Sequence, residues 1–284
     1  MYYQFNSTTE IQPAERKWAA ILLVLISTVG GAVNAYIASG FMFGLRFRGG
    51  FFIFSVSKCF SNVLTCSLVF FWLVPAVFAN DNLVSNYVNM ILSQFLVFGL
   101  YIQGNMTQAF LSLNRFATIC FLGSNKRKNS DLIALGIFTS WFATVIWTLM
   151  GYPECTCTFS TSTLSFHHSD ECHVANYQLQ LYCAFVLMMI SNMLNVICFL
   201  IILCGGACLL QSILFIIDVF LISSLHSGSF GDILVALPSF AFLALCDGLI
   251  MLLCNNDIQP ACVASKNLHK KSSVISISAS DFRS

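Results

Sequence analysis

Four ionisable side chains lie within long apolar runs: Lys58, Arg115, Asp218 and Asp247. The amides Asn34, Asn62, Gln103, Asn105, Asn192 and Asn195 lie in the same kind of surroundings. A charge held in hydrocarbon is costly, so such groups turn inward, find partners, and mark switches or ion pathways. Counted from the inner, cytoplasmic end of each run, Asn34, Asn62, Asn195, Asp218 and Asp247 each fall about eight to eleven residues in, roughly 12–17 Å deep at about 1.5 Å per residue. Asn34, Asn62, Asp218 and Asp247 therefore form a candidate intramembrane polar belt. Such a belt can hold helices in register by hydrogen bonds, repack between two states, or hold a cation or proton. Residue types alone leave these three open. Arg115 and Lys58 sit closer to their boundaries, where a long side chain can snorkel to the interface. Arg115 could instead lock or release the mouth of the bundle.

Nothing in the chain resembles a catalytic constellation. His-Glu-x-x-His, Gly-x-Ser-x-Gly and a phosphate-binding glycine loop are all missing. His167, His168 and Cys172 share one loop, a weak metal pattern that supports no assignment. No enzyme activity, cofactor, metal or nucleic-acid partner is expected.

The elements that carry these residues are legible from hydropathy. Charged residues are 9 % of the chain and hydrophobic residues 57 %, against about 25 % charged in soluble domains. These residues cannot build a water-facing surface, so membrane lipid must be the solvent. The apolar runs are Trp18–Phe43, Phe51–Ala79, Val88–Phe121, Leu132–Tyr152, Gln178–Leu203, Ala207–Leu225 and Ile233–Cys254. A run of about 20 residues crosses a hydrocarbon core of about 30 Å as a helix. Barrel strands would be about ten residues long and alternating, unlike these. The expectation is an all-α membrane protein, a seven-transmembrane helical bundle over residues 18–254. An N-terminal tail (1–17) and a C-terminal tail (255–284) flank it. Pro75 predicts a kink in the second run.

Charge sets the expected orientation. All the Lys and Arg residues but Arg16 and Lys17, among them Arg46, Arg48, Lys126, Arg127, Lys128, Lys266, Lys270 and Lys271, fall on one side, and Asp81, Glu154, Asp170, Glu171 and Asp232 on the other. Basic residues mark the cytoplasmic face, so the N-terminus is expected outside. Asn6-Ser7-Thr8 is then a glycosylation sequon on the outer side. Most of the thirteen cysteines sit in apolar runs as small packing residues. Cys155, Cys157 and Cys172 lie in the oxidising outer loop, and one bridge is expected, from Cys155 or Cys157 to Cys172. Only Cys204-Gly205-Gly206 can turn the chain between the fifth and sixth runs, where a basic inner loop would be expected.

Taken in order along the chain, several motifs resemble the nematode serpentine chemoreceptors of class x, a family of G-protein-coupled receptors. The stretch Leu111-Ser112-Leu113-Asn114-Arg115-Phe116-Ala117-Thr118-Ile119 resembles that family's third-helix ending. The loop Cys157-Thr158-Phe159, Phe166 and Asp170-Glu171-Cys172 resembles its paired-cysteine loop, and Leu210-Gln211-Ser212 with Ile217-Asp218 its sixth helix. Cys246-Asp247-Gly248-Leu249-Ile250 followed by Asn255-Asn256-Asp257-Ile258 resembles the end of its seventh helix. The likeness runs from about residue 18 to 259. It implies a plasma-membrane, multi-pass receptor for an environmental chemical, acting in sensory neurons at a cilium. The expected partners are a small-molecule or peptide ligand and a heterotrimeric G protein. Asn114, Arg115 and Phe116 would form the coupling switch. Gln94, Tyr101, Trp147 and Tyr182 are candidate ligand-binding residues by depth. Two departures stand out: Asn114 replaces the acid usual before that arginine, and the third inner loop is very short. The second departure motivates an alternative, a receptor-like protein that has lost coupling. Asp218 and Asp247 motivate another, a small-solute transporter.

Overall fold

The computed structural model describes residues 11–43, 50–120, 126–149, 156–168, 173–202 and 241–249. The first helix, α1 (Pro13–Phe43), begins five residues before its apolar run. Proline suits the first helical turn, where its missing N–H is unneeded. The Glu15 carboxylate accepts from the Gln12 N–H at 2.9 Å, which satisfies a donor that the helix start would leave unmet. One face of α1 exposes Trp18, Ile21, Leu25, Val29 and Tyr36, while Ser27, Gly30 and Asn34 are buried. Apolar groups outside and polar groups inside reverse the pattern of a water-soluble helix; here the outer face meets lipid.

The second span comprises α2 (Gly50–Leu68), a π-helical turn (Val69–Leu73) and α3 (Val74–Ala79). The Val74 N–H donates to the Val69 carbonyl, five residues back. Pro75 explains this widening. Its ring would collide with the carbonyl four residues earlier and it offers no N–H, so the helix opens by one residue just before it. Asn80 then ends the span with φ 54°, a left-handed value that asparagine tolerates.

The third span has the same construction without a proline: α4 (Asn86–Gln94), a π turn (Phe95–Leu100) and α5 (Tyr101–Cys120). Ser85 caps it, its hydroxyl accepting from Val88 N–H at 3.4 Å. Within the π turn, a Cβ at Gly99 would stand 2.3 Å from Thr148 Oγ1. Glycine is what lets this turn lie against α6 (Lys126–Leu149).

After α6 the outer loop forms a β-hairpin. Strand β1 (Cys157–Ser160) pairs antiparallel with β2 (Ser165–His168), Phe159 opposite Phe166. Phe159 is 1 % exposed and meets Trp72 edge-on at 6.1 Å. Leu164 in the turn is buried beside it, packed with Ala19, Leu23, Leu73 and Leu96. Each large apolar side chain buried this way contributes about 1.5–3 kcal/mol. The hairpin also pairs through its backbone. Asn89 Nδ2 donates to the Phe159 carbonyl and Phe159 N–H donates to Ser93 Oγ, each at 2.9 Å. Arg16 donates to the Thr161 carbonyl, so the start of α1 and the hairpin share one end of the bundle.

Helix α7 (His173–Ile202) is the fifth span, and residues 241–249 form a further helical segment packed on α1 and α2. By length and hydropathy Pro13–Phe43, Phe51–Ala79 and Asn86–Ala117 can each cross a bilayer.

Candidate functional site: a polar centre between the spans

The hairpin end of the bundle is packed with apolar groups; the middle is not. Asn34 is fully buried, and its Nδ2 donates to the carbonyls of Gly30 (2.9 Å) and Ala244 (2.8 Å). Its Oδ1 accepts from Asn62 Nδ2 at 3.0 Å. One asparagine thus ties α1 to α2 and to segment 241–249. The approach is close, because a Cβ at Gly248 would fall 2.8 Å from Asn34 Nδ2.

One helical turn before Asn62, Lys58 Nζ lies 3.1 Å from Asp247 Oδ2 and donates to Gln108 Oε1 at 2.9 Å. Lys58 is 5 % exposed. It does not snorkel to a boundary, as sequence position suggested; it turns inward. The reason is Asp247: pairing with a carboxylate offsets a charge in low dielectric, where stretching to an interface would leave that carboxylate alone. Beside them Gln103 Nε2 donates to Thr107 Oγ1 at 3.0 Å and Trp141 Nε1 to Ser57 Oγ at 3.0 Å. The hydroxyls of Ser112 and Ser191 bond at 2.7 Å and join α5 to α7.

Of these side chains, Lys58, Asn62, Gln108, Ser191 and Asp247 border a cavity of about 100 Å³. Lys58, Ser61 and Asn62 come to it from α2, Tyr101 and Asn105 from α5, and Asp247 from segment 241–249. Leu96, Leu100, Met188 and Leu243 form its apolar side. The arrangement offers hydrogen-bond donors and acceptors, one fixed ion pair and a greasy wall.

The candidates from sequence fall unevenly around it. Asn34, Asn62 and Asp247 converge; Asp218 lies outside the described residues. Tyr101 borders the cavity. Gln94 is buried at the start of the adjacent π turn. Trp147 is half-buried on α6 and does not border the cavity. Tyr182 is 65 % exposed, on the outer face of α7. Depth along a helix fixes height but not azimuth, which is why Tyr182 was misplaced as a lining residue. At the far end of α5, the Arg115 guanidinium carbon stands 5.1 Å from the Phe51 ring centroid, with Asn114 buried and Phe116 half-buried beside it. An aromatic face therefore attends the arginine where a neighbouring acid is missing. Cys157 is buried and carries a free thiol, raised above the usual thiol range by burial. Cys155, Cys172 and Asn6 lie outside the described residues. Among the described residues no group of His, Cys, Asp and Glu could hold a metal.

Gln108, Ser61 and Phe51 are the site residues that the sequence does not single out. Lys58 is singled out by its apolar run but its inward direction is not: it stands eight residues past Gly50, the first of α2, about 12 Å along the axis.

The chain aligns with the crystal structure of squid rhodopsin at a TM-score of 0.66, with 12 % sequence identity, over 91 % of this chain and 87 % of that one. At that identity the likeness is one of fold, a seven-transmembrane helical bundle. No curated protein sequence matches the chain. Residues 24–205 match the profile of the serpentine type 7TM GPCR chemoreceptor Srx, more than half of the chain and including the Asn34–Asn62 pair, the cavity walls on α2, α5 and α7, and the Arg115 end. The chain therefore belongs to the Srx family of seven-transmembrane chemoreceptors.

Proposed function

We propose that this receptor binds a small environmental molecule in the polar cavity and passes the event to a heterotrimeric G protein through the Arg115 end. The Lys58–Asp247 pair carries the reading. It spans two segments at the cavity edge, so an occupant that competes for either partner changes how α2 and segment 241–249 pack. Binding then shifts an equilibrium between two arrangements of the bundle. In this reading Asn34, Asn62 and Asp247 form the repacking layer, with Asp218 contributing from the sixth span. Tyr101 and Gln94 flank the ligand, and Asn114, Arg115 and Phe116 meet the G protein.

The seven-helix domain covers residues 18–254, with a tail at each end. Basic-residue asymmetry supports an N-terminus outside the cell, with Asn6 glycosylated. The free thiol of Cys157 leaves Cys155 to bridge Cys172. Multi-pass residence in the plasma membrane, at a sensory cilium of a sensory neuron, follows the family. The short Cys204-Gly205-Gly206 turn favours one second reading, a receptor whose coupling is reduced. A ligand screen in cells with a second-messenger readout, using an N-terminal epitope to confirm delivery, tests the proposal. Responses that persist unchanged in Arg115→Ala would contradict the coupling role, and a transcript with a basic segment after Leu203 would remove the second reading.

A further inference from the structure

We propose that the π turn at Phe95–Leu100 is a two-position joint, latched by Gln180 of α7. Latched, it clamps the β-hairpin onto α4; unlatched, it lets the hairpin go. The joint lies within the bundle and works whether or not a ligand or a G protein is engaged.

No local cause makes this turn π-helical. The other π turn precedes Pro75, whereas Phe95–Leu100 contains no proline, and none of its residues apart from Gly99 strongly opposes an α-helix. The contacts that hold it come from other helices. The Tyr101 N–H donates to the Phe98 carbonyl, three residues back, where an α-helix would aim it at the Val97 carbonyl, four back. Gln180 donates to the carbonyl that Tyr101 passes over: its Nε2 lies 2.8 Å from the Val97 oxygen. Gln180 is itself buried. In a regular α-helix the Val97 carbonyl would take the Tyr101 N–H and need no donor from α7, so Gln180 favours the π form. A shift of α7 against the third span opens the latch.

The joint matters because of what it carries. Asn89 and Ser93 stand one helical turn apart on α4, just before the π turn. They hold the Phe159 carbonyl and the Phe159 N–H, each at 2.9 Å. The π and α forms of one turn differ by one residue. Passing between them slides one side along the axis by about 1.5 Å and rotates it by about 100°. Such a rotation carries Asn89 and Ser93 off Phe159.

The clamped form is not fully relaxed. Asn89 is 3 % exposed, and its Oδ1 is buried with no hydrogen-bond donor in reach among the described residues. That oxygen destabilises the docked hairpin, and turning α4 takes it out of the sealed contact. The Gln180 latch and the unmet Asn89 oxygen pull in opposite directions, which is what an element with two accessible positions requires.

Hydrogen exchange of the full-length protein in lipid nanodiscs, read by mass spectrometry over peptides of the hairpin, tests the joint. Gln180→Leu removes the donor and keeps α7 apolar. Hairpin amides, the Phe159 N–H among them, are expected to exchange roughly tenfold faster, the population change that one hydrogen bond sets. Ser93→Ala opens the clamp directly and should have a similar effect; adding Gln180→Leu to it should change little more. Deleting Val97 removes the extra residue. That protein should still unfold in one cooperative thermal transition and should show the fast hairpin exchange. In its background Gln180→Leu should change nothing, which supplies the readout should Gln180→Leu fail to fold alone. Unchanged hairpin exchange in folded Gln180→Leu, accelerations that multiply in the double variant, or loss of folding on deletion of Val97 would each overturn the inference.

Discussion

Lys58 Nζ stands 3.1 Å from Asp247 Oδ2, deep between the second span and segment 241–249. Removing either member strands a charge in the bundle. Lys58→Met or Asp247→Leu alone should each destabilise the receptor by about 3–5 kcal/mol, whereas the double variant should recover most of that. A double-mutant cycle on thermal midpoints in nanodiscs measures it. Additive losses would show that the pair contributes nothing as a pair.

Asn34 serves three groups from one amide, and Gly248 makes room for it. Asn34→Leu should lose about 1–2 kcal/mol, since interhelical hydrogen bonds in membranes average about 0.6 and reach about 1.7 kcal/mol. Gly248→Ala should also destabilise, because the Asn34 amide and the Val33 side chain must shift to admit the methyl group. Equal thermal midpoints for wild type and both variants would contradict this packing.

Much of this architecture could be read before any coordinates. The described spans were legible because lipid demands long, uniformly apolar helices, and an irregularity in the second because Pro75 announces a break, though not its form as a π turn at Val69–Leu73. The second π turn was not: it depends on Gly99 meeting Thr148, a contact between helices that no local pattern encodes. Asn34 and Asn62 were legible by depth. Lys58 was not, because its direction is decided by Asp247, nearly two hundred residues on. The β-hairpin left a faint trace in the alternation of Cys157, Thr158, Phe159 and Ser160, which composition of the loop as a whole obscured.

The Arg115 guanidinium carbon lies 5.1 Å from the Phe51 ring centroid, and Asn114 precedes that arginine. Phe51→Leu should remove a cation–π contact of about 0.5–2 kcal/mol and raise basal nucleotide exchange. Phe51→Tyr should keep it. Basal exchange in membranes, normalised to surface delivery, distinguishes the two; identical rates would contradict the restraint.

Cys157 opens strand β1 of the hairpin with its side chain buried, and burial holds its thiol above the ordinary range. Iodoacetamide should modify it only after unfolding, including at a pH where ordinary thiols of pKa about 8.5 react. The sign for stability follows. The unfolded thiol ionises first, so this contribution is complete below that ordinary value and declines as pH rises towards the folded one. Rapid labelling of native receptor at Cys157, read by peptide mass spectrometry, would contradict the burial.

The proposed switch is an ion pair that holds the receptor at rest and an arginine that signals when it is released. Basal nucleotide exchange on heterotrimeric G protein, measured for wild type, Lys58→Gln and Lys58→Gln/Arg115→Ala at matched surface levels, tests this most directly. Exchange should rise several-fold in Lys58→Gln and return to background in the double variant. Rates that are the same in all three folded proteins would contradict it.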